Sequence, residues 1–206
     1  KLLALIDELA AAGIKIHHLD VGGGLGVNYN DETPPHPSEY ATALKQKLQD
    51  RNLTLMFEPG RAIMANAGIL ATKVEYLKAG EDRHFAIVDA AMNDLIRPTL
   101  YEAHHGIWPV KERAPGAETM VVDVVGPVCE TGDYLALDRH LPALAAGDLI
   151  ALMSAGAYGA VQASTYNTRP LVPEVLVDGA RWAVVRERPS YDALLGLDHV
   201  PEWLSA

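Results

Sequence analysis

The chain has 206 residues, of which 49% are hydrophobic and 21% charged. That composition carries enough apolar surface to offset ordering entropy, so a disordered chain is excluded, and the length suits one large domain or two small ones. Seventeen Lys+Arg against 27 Asp+Glu leave a net charge of −10. With no polybasic cluster beside it, that balance argues against nucleic acid or an anionic membrane as partner. No apolar run reaches the roughly 18–20 residues of a membrane span. The single cysteine, Cys129, cannot close an internal disulfide and fits a reducing, cytoplasmic compartment.

The first residues, Lys1-Leu2-Leu3-Ala4-Leu5-Ile6, lie without Met inside an amphipathic pattern and do not read as a signal peptide. A domain rarely starts in mid-helix, so the chain is expected to be a piece of a longer protein. Leu2, Leu3, Leu5, Ile6, Leu9 and Ala10 recur at helical spacing, and Gly13 stops them. Ile14, Ile16 and Leu19 alternate as a strand that runs into Gly22-Gly23-Gly24. After Pro34, Pro35 and Pro37, Ser38 is expected to cap a helix through about Gln49, and Leu53–Phe57 forms a strand ending at Glu58-Pro59-Gly60-Arg61. This rhythm is that of an α/β protein with a parallel sheet. Beyond about residue 67 strand-like runs dominate: Ile69–Leu77, His84–Asp89, Thr119–Val125, Leu149–Met153, Glu174–Val177 and Arg181–Arg186. They read as a β-sandwich or barrel, with Asp178-Gly179 a hairpin signal.

Several segments carry residues suited to chemistry. Gly22-Gly23-Gly24 follows a strand, where bare backbone can approach an anion, although a tight turn explains three glycines equally well. Glu58-Pro59-Gly60-Arg61 stands at the C-terminal end of a strand, the edge where parallel α/β proteins bind ligands; a salt-bridged strand end is the plainer reading. Arg97 and Tyr101 place a planar guanidinium and a phenol in one short segment, suited to a carboxylate. Cys129-Glu130 sets a thiol beside a carboxylate on a Gly/Pro-rich loop, either a proton donor or an inert hydrophobe. Tyr158 sits in a loop of small residues. The pairs His17-His18 and His104-His105 point opposite ways in a strand and lack zinc spacing, so no metal is expected.

In this order, His17-His18-Leu19-Asp20-Val21-Gly22-Gly23-Gly24-Leu25-Gly26, Glu58–Arg61, Arg97–Tyr101, Cys129-Glu130 and Tyr158-Gly159 resemble the C-terminal half of the diaminopimelate decarboxylases. These are pyridoxal-phosphate enzymes of the alanine-racemase-like fold. The resemblance implies an α/β plus all-β chain: residues 1–66 as the last units of an incomplete (β/α)8, TIM-like barrel, and residues 67–206 as a C-terminal β-domain. It implies a cofactor cradle of Gly23, Gly24, Gly60 and the Arg61 backbone, with Glu58 keeping the pyridine nitrogen of pyridoxal 5'-phosphate protonated. Tyr158 stands at both cofactor and substrate. The Arg61 side chain, Arg97 and Tyr101 would clamp the distal carboxylate of meso-diaminopimelate, and Glu130 its distal ammonium. Cys129 would protonate Cα after carbon dioxide leaves, in the active site of the partner in a homodimer, and L-lysine would be the product.

The family's chemistry begins at a Schiff-base lysine in a Tyr-Ala-x-Lys-Ala context. None of the seven lysines (Lys1, Lys15, Lys45, Lys47, Lys73, Lys78 and Lys111) has that context. The chain is therefore expected to be inactive by itself. Sister decarboxylases acting on ornithine, arginine or carboxynorspermidine are the nearest alternatives, and a non-catalytic scaffold is another. Arg97 and Tyr101 with Glu130 favour a substrate that carries both a distal carboxylate and a distal ammonium.

Overall fold

A computed structural model describes residues 1–49 and 51–204. Helix α1 (Leu2–Ala11) ends in a turn at Gly13, whose φ of 84° is open to glycine at little cost. Strand β1 (His18–Asp20) is shorter than the Ile14–Leu19 pattern suggested. Helix α2 (Pro37–Leu48) begins earlier than expected, capped by His36 instead of Ser38. The His36 ring nitrogen accepts from the Ser38 N–H at 3.3 Å, and Glu39 reaches back to the His36 N–H at 3.1 Å. Proline at the first helical position, where no N–H is needed, explains the shift. Strand β2 (Thr54–Met56) pairs in parallel with β1, Leu19 opposite Leu55. Helix α3 (Gly60–Met64) follows.

The next strands are β3 (Leu70–Ala79), β4 (His84–Val88), β5 (Ile107–Pro109), β6 (Thr119–Val125), β7 (Tyr134–Pro142) and β8 (Leu149–Leu152). They form one six-stranded sheet in the order β5-β8-β3-β4-β6-β7. Only β4 and β6 pair in parallel, Phe85 opposite Asp123, because the chain between them crosses over through helix α4 (Arg97–Tyr101). The edge strands β5 and β7 approach each other, so the sheet curls into a nearly closed barrel and not a sandwich. Val74, Val88, Val122, Val124, Leu135, Ile150 and Leu152 fill its interior, with Leu95 from the crossover. Buried polar groups in the sheet are paired: Asp123 accepts from the Asp138 N–H at 2.7 Å and from Arg83 at 3.0 Å.

Among the described residues, strands β9 (Glu174–Asp178) and β10 (Arg181–Arg186) pair only with each other. Gly179, the first of the two loop residues, has φ 59°, the glycine-first pattern of a type II′ turn. The hairpin is apolar on both faces and open to solvent, with Leu176 64% and Trp182 72% exposed. Helix α5 (Tyr191–Leu195), capped by Ser190, is likewise unburied. The chain exposes 14040 Å², whereas a compact monomer of this size exposes about 9,400 Å². Among the described residues no helix is long and apolar enough to cross a membrane.

Two parallel strands of three residues, with one half-buried side chain each, lack the packing that protects a ladder from opening. Amides of His18–Asp20 are expected to exchange with deuterium far faster than those of Val122–Val124. Equal protection in the two segments would contradict this account.

Candidate functional site

The β1–β2 ladder continues past its last strand residues. The Val21 N–H donates to the Met56 carbonyl, and the Glu58 N–H to the Gly22 carbonyl at 3.0 Å. This brings the glycine turn against the end of β2. A Cβ on Gly23 would stand 2.6 Å from the Glu58 carbonyl oxygen, so the strands meet this closely only if residue 23 is glycine. Gly24 has φ 71°, and Gly60 faces open space where a side chain would project. Of the first-turn N–H groups of α3, that of Gly60 donates back to the Glu58 carbonyl at 2.8 Å, while those of Arg61 and Ala62 have no partner within the helix.

A third segment closes the site. After β8 the chain turns through Ser154, Ala155 and Gly156 and lies on residues 64–68. The Ala155 N–H donates to the Gly68 carbonyl at 2.8 Å, the Gly156 N–H to the Ala65 carbonyl at 3.0 Å, and the Ser154 hydroxyl to Asn66 at 2.8 Å. A side chain on Gly156 would run into the Met64 carbonyl. Tyr158, held at φ 59°, thereby reaches a cleft lined by Gly23, Gly24, Leu25, Glu58, Pro59, Arg61, Ala62 and Tyr158. Tight packing of the small residues and delivery of Tyr158 are one arrangement. A turn without side chains, free N–H groups and a neighbouring carboxylate fit a phosphorylated, protonated pyridine such as pyridoxal phosphate.

Arg97, at the start of α4, is only 8% exposed, while Tyr101 one helical turn on is 60% exposed. The Arg97 guanidinium lies 4.7 Å over the Tyr29 ring and donates from Nη1 to His105 Nε2 at 3.1 Å. His105 Nδ1 is 2.8 Å from the Met153 carbonyl oxygen. A carbonyl only accepts and a guanidinium only donates, so His105 is neutral with its proton on Nδ1. Burial, aided by Arg97, holds its pKa below the ordinary 6.5, against the opposing pull of the Met153 carbonyl. Tyr29 packs edge-on against His105 at 5.6 Å, and its buried hydroxyl has no hydrogen-bond partner among the described residues. His104 takes a different arginine, Arg139, at 2.9 Å. The two histidines lie in irregular chain before β5 and not in a strand, and each accepts from its own guanidinium.

Cys129 and Glu130 stand on the loop between β6 and β7 and do not line the cleft of Tyr158; Cys129 is exposed. Asp133 shapes this loop, accepting from the Val128 N–H at 2.6 Å and the Met92 N–H at 2.7 Å. Burial raises its pKa despite those two bonds. The Thr99 hydroxyl donates to the Gly132 carbonyl, tying the loop to α4. Glu130 accepts from the Tyr166 hydroxyl at 3.2 Å, a bond that raises the phenol's pKa. The structure therefore gathers Gly23, Gly24, Glu58, Arg61 and Tyr158 in one place and leaves Cys129 and Glu130 in another.

The fold and the cleft have counterparts among known proteins. Residues 7–156 match the family described as pyridoxal-dependent decarboxylase, C-terminal sheet domain, and the chain belongs to that family. It is 59% identical over 201 residues to the diaminopimelate decarboxylase of Vibrio cholerae serotype O1, a stretch that covers 97% of this chain and 48% of the relative. The crystal structure of diaminopimelate decarboxylase from Helicobacter pylori, complexed with L-lysine, superposes with a TM-score of 0.87 at 41% identity. It covers 95% of this chain and 48% of that one. The enzyme from M. jannaschi gives a TM-score of 0.92 at 36% identity, over 99% of this chain and 48% of that one. The chain thus spans about half the length of the relatives it matches.

Tyr29, His105, Met153 and Tyr166 join these clusters without having been singled out in the sequence. Tyr29 lies in an irregular loop, and His105 belongs to a pair weighed only as a metal ligand. Among the described residues no group of three or more His, Cys, Asp or Glu could hold a metal. Both His104 and His105 have lowered pKa values, chiefly through burial. Their contribution to stability is full above the unfolded-state value of about 6.5 and is lost as pH falls below it, because the unfolded chain then binds more protons. The denaturant midpoint is expected to fall between about pH 7.5 and pH 5.5. His105→Gln, which cannot titrate, should flatten that slope. A slope unchanged by the substitution would show that His105 does not bear it.

Proposed function

We propose that this chain carries the phosphate cradle and the substrate-recognition residues of a pyridoxal-phosphate-dependent decarboxylase that converts meso-diaminopimelate to L-lysine and carbon dioxide. The convergence of Gly23, Gly24, Glu58, Arg61 and Tyr158 on one cleft carries the reading. The 59% identity to a diaminopimelate decarboxylase supports the choice of substrate. In this reading residues 1–66 are the last units of a (β/α)8 barrel and residues 67–206 a second, β-rich domain. The parallel pairing of β1 with β2 supports the first part. The lone Cys129 supports a reducing, cytoplasmic setting.

Bound pyridoxal phosphate supplies a protonated ring that accepts the electrons left at Cα when carbon dioxide departs. The backbone of Gly23, Gly24, Gly60 and Arg61 holds the phosphate, and Glu58 keeps a proton on the ring nitrogen. Tyr158 packs at the cofactor and the substrate. Arg61, Arg97 and Tyr101 hold the distal carboxylate, and Glu130 the distal ammonium. Cys129 delivers a proton to Cα. Because Cys129 and Glu130 lie outside the cleft that Tyr158 lines, they are assigned to the active site of a partner subunit in a homodimer, which the exposure of Cys129 allows.

No lysine here stands in the family's Tyr-Ala-x-Lys-Ala context, so the 206 residues alone are expected to release no carbon dioxide from meso-diaminopimelate. The reading is tested by joining this chain to the N-terminal half of the Vibrio cholerae relative in place of that enzyme's own C-terminal half. The chimera should decarboxylate meso-diaminopimelate. In it, Cys129→Ala should lower kcat by about 10²–10⁴-fold with KM little changed, the usual contribution of a general acid. Glu130→Ala should instead raise KM, removing a charge-assisted contact of roughly 1.5–3 kcal/mol. Preference for ornithine or arginine would move the chain to a sister decarboxylase. Wild-type kcat in Cys129→Ala would make the thiol structural.

A further inference from the structure

We propose that His105 is a positioning residue for the distal carboxylate: it fixes the orientation of the Arg97 guanidinium and ties it to the strand end from which the Tyr158 loop departs. The proposal rests on the reading of Arg97 as a carboxylate-binding residue and goes beyond it, since nothing in that reading involves a histidine. Three observations carry it. His105 is fully buried, at 0% exposure, yet both its ring nitrogens are used, one by Arg97 at 3.1 Å and one by the Met153 carbonyl at 2.8 Å. Met153 immediately precedes Ser154, where the loop that delivers Tyr158 begins. Arg97 is also confined by the Tyr29 ring at 4.7 Å, which packs against His105 as well, and Tyr29 comes from the segment that follows the glycine turn.

Tyr29 is itself held, because Glu32 accepts from the Asn30 and Tyr29 N–H groups, both at 2.8 Å. Arg97 thus sits where the glycine-turn segment, α4 and the end of β8 meet. Among the described side chains His105 is the one that accepts a hydrogen bond from Arg97. That bond engages Nη1 and leaves the rest of the planar fork for a ligand carboxylate, whose recognition depends on the angle at which the fork is presented. Arg139 and His104 lie close enough to bear on His105, and both disfavour its protonation. The imidazole therefore stays an acceptor toward Arg97.

The test uses the chimera and two near-isosteric variants. Gln at position 105 puts an amide oxygen where Nε2 was and keeps an acceptor for Arg97; Asn reaches only the Nδ1 position and keeps the donor to Met153. His105→Asn is expected to raise KM for meso-diaminopimelate about 10-fold, with kcat within about 3-fold. His105→Gln should restore most of that KM. Competitive inhibition by L-lysine, which carries the carboxylate, should weaken by a similar factor in His105→Asn. Inhibition by cadaverine, the same diamine without it, should not change. A second readout needs no turnover: nitrogen-15 shifts of the 206-residue chain should show a neutral imidazole protonated on Nδ1.

An Nε2-protonated or cationic ring in that spectrum would overturn the proposal even if His105→Asn fails to fold. Unchanged KM, or equal weakening of lysine and cadaverine, in a folded His105→Asn chimera would overturn it too, while leaving the functional reading standing. A folded wild-type chimera that does not turn over meso-diaminopimelate would defeat that reading and the proposal together.

Discussion

The arrangement depends on one close approach of backbone to backbone. The chain leaving β8 lies on residues 64–68 with no side chain between them, Gly156 against the Met64 carbonyl and a Cβ on Gly68 only 2.6 Å from the Gly156 Cα. Two glycines allow two N–H···O bonds to form across the seam. The delivery of Tyr158 to the cleft follows from that contact. It carries Tyr158 from the sheet to the glycine turn, and it lets Ala157 pack with Ala65 and Val27 in a small apolar cluster beside Tyr29. A methyl group at the seam would push apart two segments that are far separated in sequence.

The same seam explains why two regions of different character share a site. The β1–β2 pair contributes the glycine turn and a carboxylate, and the chain leaving the curled sheet contributes Tyr158. Arg97 joins the two regions through Tyr29 and through His105 and Met153, so a change in the geometry of one part is felt at the other.

Much of the fold was legible along the chain. Thr119–Val125 is β6 to the residue because β-branched valines dominate it and Val122 and Val124 fill the barrel. Strand β7 was not, since Asp138-Arg139-His140 interrupt the apolar pattern; the structure accommodates them with a positive φ at Asp138 and a register shift against β6. The His36 cap escaped notice because a serine two residues on offered the more familiar signal. At the site, glycines after strands and an acid at a strand end mark themselves by position. Tyr29 and His105 do not, because their roles arise from contacts 8 or more residues apart in sequence, as with Arg97 and His105, that no local pattern encodes. Nor does the short segment Arg97–Tyr101 reveal on its own that the arginine is buried and the tyrosine exposed.

The β9–β10 hairpin has a consequence for how the protein behaves in the test tube. Its outer strand edges offer unpaired N–H and C=O groups, and Val175, Leu176, Val177, Trp182, Val184 and Val185 leave both of its faces apolar. Such a ribbon is a template for strand addition by another molecule. The net charge of −10 keeps copies apart at long range, but that repulsion is screened beyond about 8 Å at physiological ionic strength. Colloidal stability of the isolated chain is therefore governed by salt. Low ionic strength preserves that repulsion, and raising it lets another strand approach the hairpin's open edges.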